Sequence, residues 1–374
     1  AKVLNCTATD MHSLIQAQSC DETVVVKGCT INGKNGVAFK QVKAATVEGT
    51  TITALEYGIR FDGNTDNYGI VLKNNNVTAY QPLIVRKMTG ANNTIALEGE
   101  NTLTTDEIYQ IVITNGSDDA DYVTPTGTYT LTGADDFVVY PLYQEISDGL
   151  FYNGGKKNYD VANAAGLVAL STTTINAGES VSLIADIDLT DIEFNGLSAF
   201  NPENNNTFDG KGHTVSNWTN HSKAADFGFI KNWVGTIKNL TIDNASLMTS
   251  GRSAILAGKT YGNIENCHVV NSTIEDSYWA CGLIAGLYNS GSVKDCSATN
   301  STVKSNGGTS AIVGVLNEAA GTRSFTNCRV TECTVNNTGI YGESYSGALI
   351  CGMINISNST VEFVDCELNN NTKE

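Results

Sequence analysis

The sequence is short of charge, and of positive charge above all. Only 16% of its 374 residues are charged, against roughly 25% in an ordinary soluble domain. The 22 Lys and Arg are outnumbered by 39 Asp and Glu, for a formal charge of −17. Such a balance repels nucleic-acid phosphates and anionic membrane surfaces, so neither is expected as a partner. No run of eighteen apolar residues is present, so the chain as given is not expected to span a membrane by a helix. No two cysteines form a CxxC pair, and the four histidines show no ligand spacing. No nucleophile triad, phosphate loop or metal motif stands out. No signal peptide is visible in the sequence as given. The chain opens at Ala1 inside what reads as a strand, which leads us to expect that a targeting segment has been removed.

What is present is glycine (36 residues) and many Asn and Thr, with 41% hydrophobic residues. That is a turn-rich β composition, long enough for one or two domains with a sizeable core. Its organising feature is self-similarity. IKNLTIDNASL from Ile237 returns as IENCHVVNSTI from Ile264, VKDCSATNSTV from Val293, FTNCRVTECTV from Phe325 and a degenerate FVDCELNNNT from Phe363. A second piece alternates with it: GFIKN from Gly228, AILAG from Ala254, GLIAG from Gly282, SAIVG from Ser310 and ALICG from Ala348.

Within one copy the apolar positions are Ile264, Cys267, Val269 and Ile274. Strand alternation breaks at Asn266 and at Asn271–Ser272, so the chain must bend there to keep apolar side chains inward. Asn suits such a bend because it tolerates left-handed backbone geometry. A coil with two or three bends, repeated about every 27 residues, is a rung of an all-β, right-handed parallel β-helix, with like residues stacked roughly 4.8 Å apart. Leu240, Cys267, Cys296, Cys328 and Cys366 then form one inward stack. Reduced, core-filling thiols are the leading reading of that column; disulfides between neighbouring rungs and metal binding are the alternatives. Asn239, Asn266, Asp295, Asn327 and Asp365 form a ladder at the bend.

The first third repeats more loosely, as VKGCTI from Val26, VEGTTI from Val47, LKNNNV from Leu72 and LEGENT from Leu97, with LNCTA from Leu4 one rung earlier. Three divisions follow: a β-helical segment over 1–115, a β-rich linker or hairpin over 116–157, and a second β-helix over 158–374. The second opens with a short helix in Val161–Ser171, whose Ala164, Leu167, Val168 and Ser171 lie at helical spacing and would cover an open sheet edge.

From NYDVANAAGLVALS, through SLIADIDLTD and NTFDGKGHTVSN, to the GLIAG-type boxes, residues 158–374 resemble bacterial surface and secreted proteins with GLUG-type repeats, common in Bacteroides-like bacteria. AILAG and ALICG depart from the pattern in having Ala where the first Gly belongs. The resemblance implies a right-handed, pectate-lyase-like β-helix, a secreted or cell-surface setting in which outer-membrane anchoring can occur, and adhesin-like relatives without a defined activity.

An enzyme of this fold acting on acidic polysaccharides would need clustered carboxylates beside a basic residue. Asp118–Asp119, Asp135–Asp136, His213 and Arg86–Lys87 are scattered, so no catalytic residue is assigned. Asp186 and Asp188 share strand parity and are the candidate Ca2+ ligands. The loops after the NSTI-type strands bring in Tyr278, Trp279, Tyr341 and Tyr345, two rungs or about 10 Å apart, an arrangement suited to stacking against sugar rings. The leading expectation is a noncatalytic, adhesin-like or glycan-binding scaffold directed at a glycan or host-surface ligand. A polysaccharide lyase or glycoside hydrolase is the first alternative and a structural stalk the second. The sequence leaves the oligomeric state open.

Overall fold

In the computed structural model, the described residues are 1–13, 15–63, 68–87, 90–116, 122–198, 206–221, 224, 226–276, 280–317, 321–338, 348–355 and 359–373. Among them the chain is nearly all β, with one α-helix and extensive parallel sheets, an arrangement compatible with a β-helical solenoid. It divides into two compact units, residues 1–144 with 154–156, and residues 145–153 with 157–374.

In the first unit every third strand pairs in parallel with the one before, giving three sheets. The pairing follows the sequence repeat: Val26 lies beside Val47, Val47 beside Leu72, and Leu72 beside Leu97. These four side chains are buried and stacked, and full burial of each such side chain contributes about 1.5–3 kcal/mol. On the third sheet Phe39 stacks on Phe61 with ring centroids 4.6 Å apart. Part of the stretch expected to be a linker belongs to this unit instead. Tyr129–Thr132 extends the first sheet in parallel beside Asn93–Ala96, and Val139–Tyr140 extends the third beside Ile111–Val112. The alternation of TYTLT explains the difference, because Leu131 turns toward the core beside Ile95.

The second unit opens with an antiparallel pair, Leu150–Asn153 against Asn158–Val161, and continues in parallel. Ile230–Asp243 runs beside Ala257–Val270, placing Ile237 next to Ile264 and Leu240 next to Cys267. The register continues from Ile264 to Val293, Phe325 and Phe363. The equivalent bend of each repeat is a left-handed residue: φ is 54° at Asn239, 50° at Asn266, 55° at Asp295, 52° at Asn327 and 53° at Asp365. A left-handed residue costs an ordinary L-side chain roughly 1–2 kcal/mol, so repeated Asn and Asp set the bend. Their side chains also bond between coils, with Asn239 Nδ2 donating to Asp209 Oδ1 at 3.0 Å and Asn327 Nδ2 to Asp295 Oδ1 at 2.7 Å.

At the next bend the link runs inside. The Ala245 N–H donates to Ser272 Oγ, and the Ser272 N–H to Ser301 Oγ, each at 3.0 Å. Buried backbone donors freed by the turn are thereby satisfied by the following coil.

The helix spans Ala164–Leu170 and is capped by Asn163, whose Oδ1 accepts the Gly166 N–H at 2.8 Å. It buries Gly166, Leu167 and Leu170, packing on the opening antiparallel pair. Val168, expected on the inner face, is 37% exposed. The helix meets its neighbours through the Leu167–Leu170 edge, where Gly166 allows close approach to Gly149.

Candidate functional site

In the third sheet of the first unit the outward face is covered as well as the inward one. Gln81–Arg86 is buried at all six positions, and the sequence PLIV shows no polar alternation. Strands covered on both faces read this way. The in-register outward row is Ala38, Arg60, Ile84, Val112 and Tyr140, all but Arg60 buried. Beside it runs a second row, Lys40, Asp62 and Arg86.

Asp62 is the carboxylate at the centre of this face. Arg86 Nε lies 2.7 Å from its Oδ1 and Arg60 Nε 3.5 Å from its Oδ2. Asp62 and Arg86 are each 9% exposed. The Arg60 guanidinium also sits 4.3 Å over the Tyr57 ring, a cation–π contact. Arg60 and Arg86 both pair with one aspartate, and Lys40 is its register partner on the neighbouring strand. Two guanidinium groups already hold the Asp62 carboxylate, which suits it to fixing their orientation.

Tyrosines gather at the end of the row. Tyr109, Tyr122 and Tyr140 have centroids 5.1–5.5 Å apart, and the Tyr140 hydroxyl donates to the Tyr122 carbonyl at 2.7 Å. Tyr140 is buried while Tyr122 is 40% exposed. Partial burial raises the Tyr122 phenol above its ordinary value, opposed by a hydrogen bond with Gln81. Tyr80 lies next to Gln81 in the chain and is exposed. At the margin of this covered face the Tyr80 and Tyr122 rings and part of the Arg60 side chain reach solvent, groups of the kind that recognise sugar rings and hydroxyls. Sequence reading missed it. The available signal was the run of apolar residues through VAF, GIRF and PLIV, too continuous for strands with one wet face.

The residues expected to carry function from sequence are placed as follows. Tyr278, Trp279, Tyr341 and Tyr345 lie outside the described residues. Asp186 Oδ1 accepts the Thr214 N–H at 2.9 Å and lies 3.1 Å from His213 Nδ1. Asp188 Oδ1 accepts from the Thr190 N–H at 2.9 Å, the Thr190 hydroxyl at 2.7 Å and Asn217 Nδ2 at 2.9 Å. These bonds hold both carboxyls below their ordinary range, the Thr214 N–H contributing most at Asp186 and Asn217 most at Asp188. Donor hydrogens, which compete with a cation, therefore meet both carboxylates. Among the described residues no three or more His, Cys, Asp or Glu side chains converge as a metal site.

Cys267, Cys296 and Cys328 are buried and occupy one column, with the half-buried Cys366 at its end. All four are free thiols. Each donates to the carbonyl two residues earlier and to a carbonyl of the preceding coil: Cys267 to Glu265 and Ile237, Cys296 to Lys294 and Ile264, Cys328 to Thr326 and Val293. Burial pushes the Cys296 and Cys328 thiols up, Cys328 to about 12, which leaves them un-ionised and unreactive near neutral pH.

No protein-family model matches the chain. Over 121 residues, 29% of the chain, it is 31% identical to Halomucin of Haloquadratum walsbyi, and the match spans 1% of that protein's length. A crystal structure of a candidate immunoglobulin A1 protease from Bacteroides ovatus is similar over 58% of this chain and 75% of that one, with a TM-score of 0.41 and 18% identity. The class of protein that the coordinates define is a two-unit, parallel β repeat protein.

Proposed function

We propose that the chain is a secreted or cell-surface, right-handed β-helical scaffold that binds glycan without chemistry. The reading rests on the Tyr109–Tyr122–Tyr140 cluster beside Arg60, Asp62 and Arg86 on the third sheet of the first unit. Aromatic side chains and oriented guanidinium groups on a stacked sheet give a rigid surface, so little ordering entropy is lost when a sugar docks. The GLUG-type resemblance of residues 158–374 and an adhesin-like role belong to the same reading. So do the sequence-derived aromatics Tyr278, Trp279, Tyr341 and Tyr345, as a second contact.

Retention on a glycan array tests it. The intact chain is expected to bind at least one glycan class, and Tyr122→Ala with Arg60→Ala is expected to weaken that binding tenfold or more while the melting temperature changes little. Trp279→Ala tests the second contact in the same assay. No retention of the intact chain, or turnover of the retained glycan, would overturn the reading.

A further inference from the structure

The second sheet of the first unit carries a different surface. Its strands are Thr7–Met11, Thr30–Gly33, Thr51–Ala54, Asn76–Thr78 and Thr102–Thr104, paired in parallel and in register. The middle residue of each outward-inward-outward triplet is buried: Ala8, Ile31, Ile52, Val77 and Leu103. The flanking residues are exposed and form two columns. One runs Thr7, Thr30, Thr51, Asn76 and Thr102. The other runs Thr9, Asn32, Thr53, Thr78 and Thr104. Eight of these ten positions are threonine and none is charged.

We infer that this face adsorbs to ice. Along a column, like side chains repeat at about 4.8 Å, and between columns at roughly 6.7 Å, two residues of strand rise. Both repeats lie near those of water oxygens along the two principal directions of hexagonal ice. Threonine supplies a hydroxyl to join the lattice and a methyl that organises the water next to it. Its branched side chain is also restricted at χ1, so the array is ordered before contact.

The chemistry of the face favours water over sugar. No aromatic ring lies in either column, so pyranose stacking has no partner here. The two columns carry no charge in a chain of net charge −17, which suits them to an uncharged lattice. Strand propensity alone does not require this pattern, as the second unit shows. There the strands Ser246–Thr249, Thr273–Asp276, Thr302–Ser305 and Thr334–Asn337 also pair in register, with Thr or Ser in one outward column. Their other column is Met248, Glu275, Lys304 and Asn336, with Lys304 paired to Glu275 at 2.9 Å.

Slow freezing of a dilute solution of the full chain onto a seeded ice surface tests the inference, with serum albumin as the excluded control. The chain is expected to be enriched several-fold in the ice fraction over albumin. Thr51→Lys with Thr53→Lys, which breaks the centre of the array at exposed positions, is expected to abolish the enrichment with circular dichroism unchanged. Thr302→Lys on the second unit is expected to leave it intact. Exclusion of the wild-type chain from ice, or undiminished uptake of the Thr51/Thr53 variant, would each overturn the inference.

Discussion

The Asn266 side-chain amide donates to Asn239 Oδ1 at 3.0 Å, joining equivalent bends on consecutive coils. Both residues have left-handed backbones, so each supplies the turn and the link at once. Asn266→Ala loses both. A left-handed alanine costs about 1 kcal/mol, and the lost hydrogen bond a further 0.5–1.5 kcal/mol. Asn266→Gly keeps the backbone geometry and loses the side-chain bonds to Asn239 and His268. Urea unfolding is expected to rank wild type above Gly and Gly above Ala, with Ala lower than wild type by about 2 kcal/mol. Equal stabilities for the two variants would show that the turn conformation contributes nothing.

That bend was legible in the sequence because Asn or Asp returns at the same position of every copy, where its backbone tolerance is needed. The register from Ile237 through Phe363 follows from the same alignment. The tyrosine and arginine face was less legible, because Tyr109, Tyr122 and Tyr140 meet from separate stretches of chain with no common spacing. Arg60, Asp62 and Arg86 do lie at repeat-related positions, but they fall in strands whose apolar content reads simply as core. The last coil of the first unit was hidden for another reason. Its Tyr129–Thr132 strand follows a long excursion after Asn93–Glu98, and the repeat length carries no signal across it.

Burial raises Cys328 to about 12, with Cys296 and Cys366 nearby adding to the effect, and it raises Cys296 in the same direction. The sign follows from proton counting. Between the ordinary thiol range near 9 and about 12 the unfolded chain has lost protons that the folded chain keeps, so unfolding is favoured as pH rises. Stability associated with these groups is complete below pH 9 and is lost across that window. Cys328→Ala is expected to flatten the alkaline decline while lowering stability at pH 7 through the smaller side chain. The measurement is denaturant midpoint against pH for both chains; parallel curves would count against the buried, protonated thiol.

Gly166 sits in the only helix among the described residues, where propensity alone favours alanine by about 1 kcal/mol. Here the packing term opposes propensity. A methyl group on Gly166 would press into the Gly149 carbonyl, which is backbone and has little room to yield. Overpacking of this kind costs about 1–3 kcal/mol, so Gly166→Ala is expected to lower the melting temperature. Asn163→Ala, which removes the cap to the Gly166 N–H, is expected to cost about 1 kcal/mol. A rise in melting temperature for Gly166→Ala would mean that the helix does not approach Gly149 closely.

Asp186 and Asp188 give a direct test of calcium. Each carboxylate is met by N–H or O–H donors, whereas calcium takes 6–8 oxygen ligands. Millimolar calcium, or its removal by chelation, is therefore expected to leave the melting temperature unchanged. A calcium-dependent rise that disappears in Asp188→Asn would establish the opposite.

Asp62 stands between two guanidinium groups, and the energetic consequence is asymmetric. Removing the carboxylate leaves Arg60 and Arg86 facing each other with little water to screen them, whereas the intact set contributes modestly because its desolvation offsets its attraction. Asp62→Leu is expected to cost about 3 kcal/mol, near the lower end for a broken buried pair. The triple variant Arg60→Leu, Asp62→Leu, Arg86→Met removes all three charges and is expected to recover most of that loss. Glycan retention separates the two effects. The triple variant should fold and fail to bind, since the donors are gone, while Asp62→Leu should bind less tightly in proportion to the disorder of the arginines. Full retention by a folded triple variant would move the binding face away from Arg60 and Arg86.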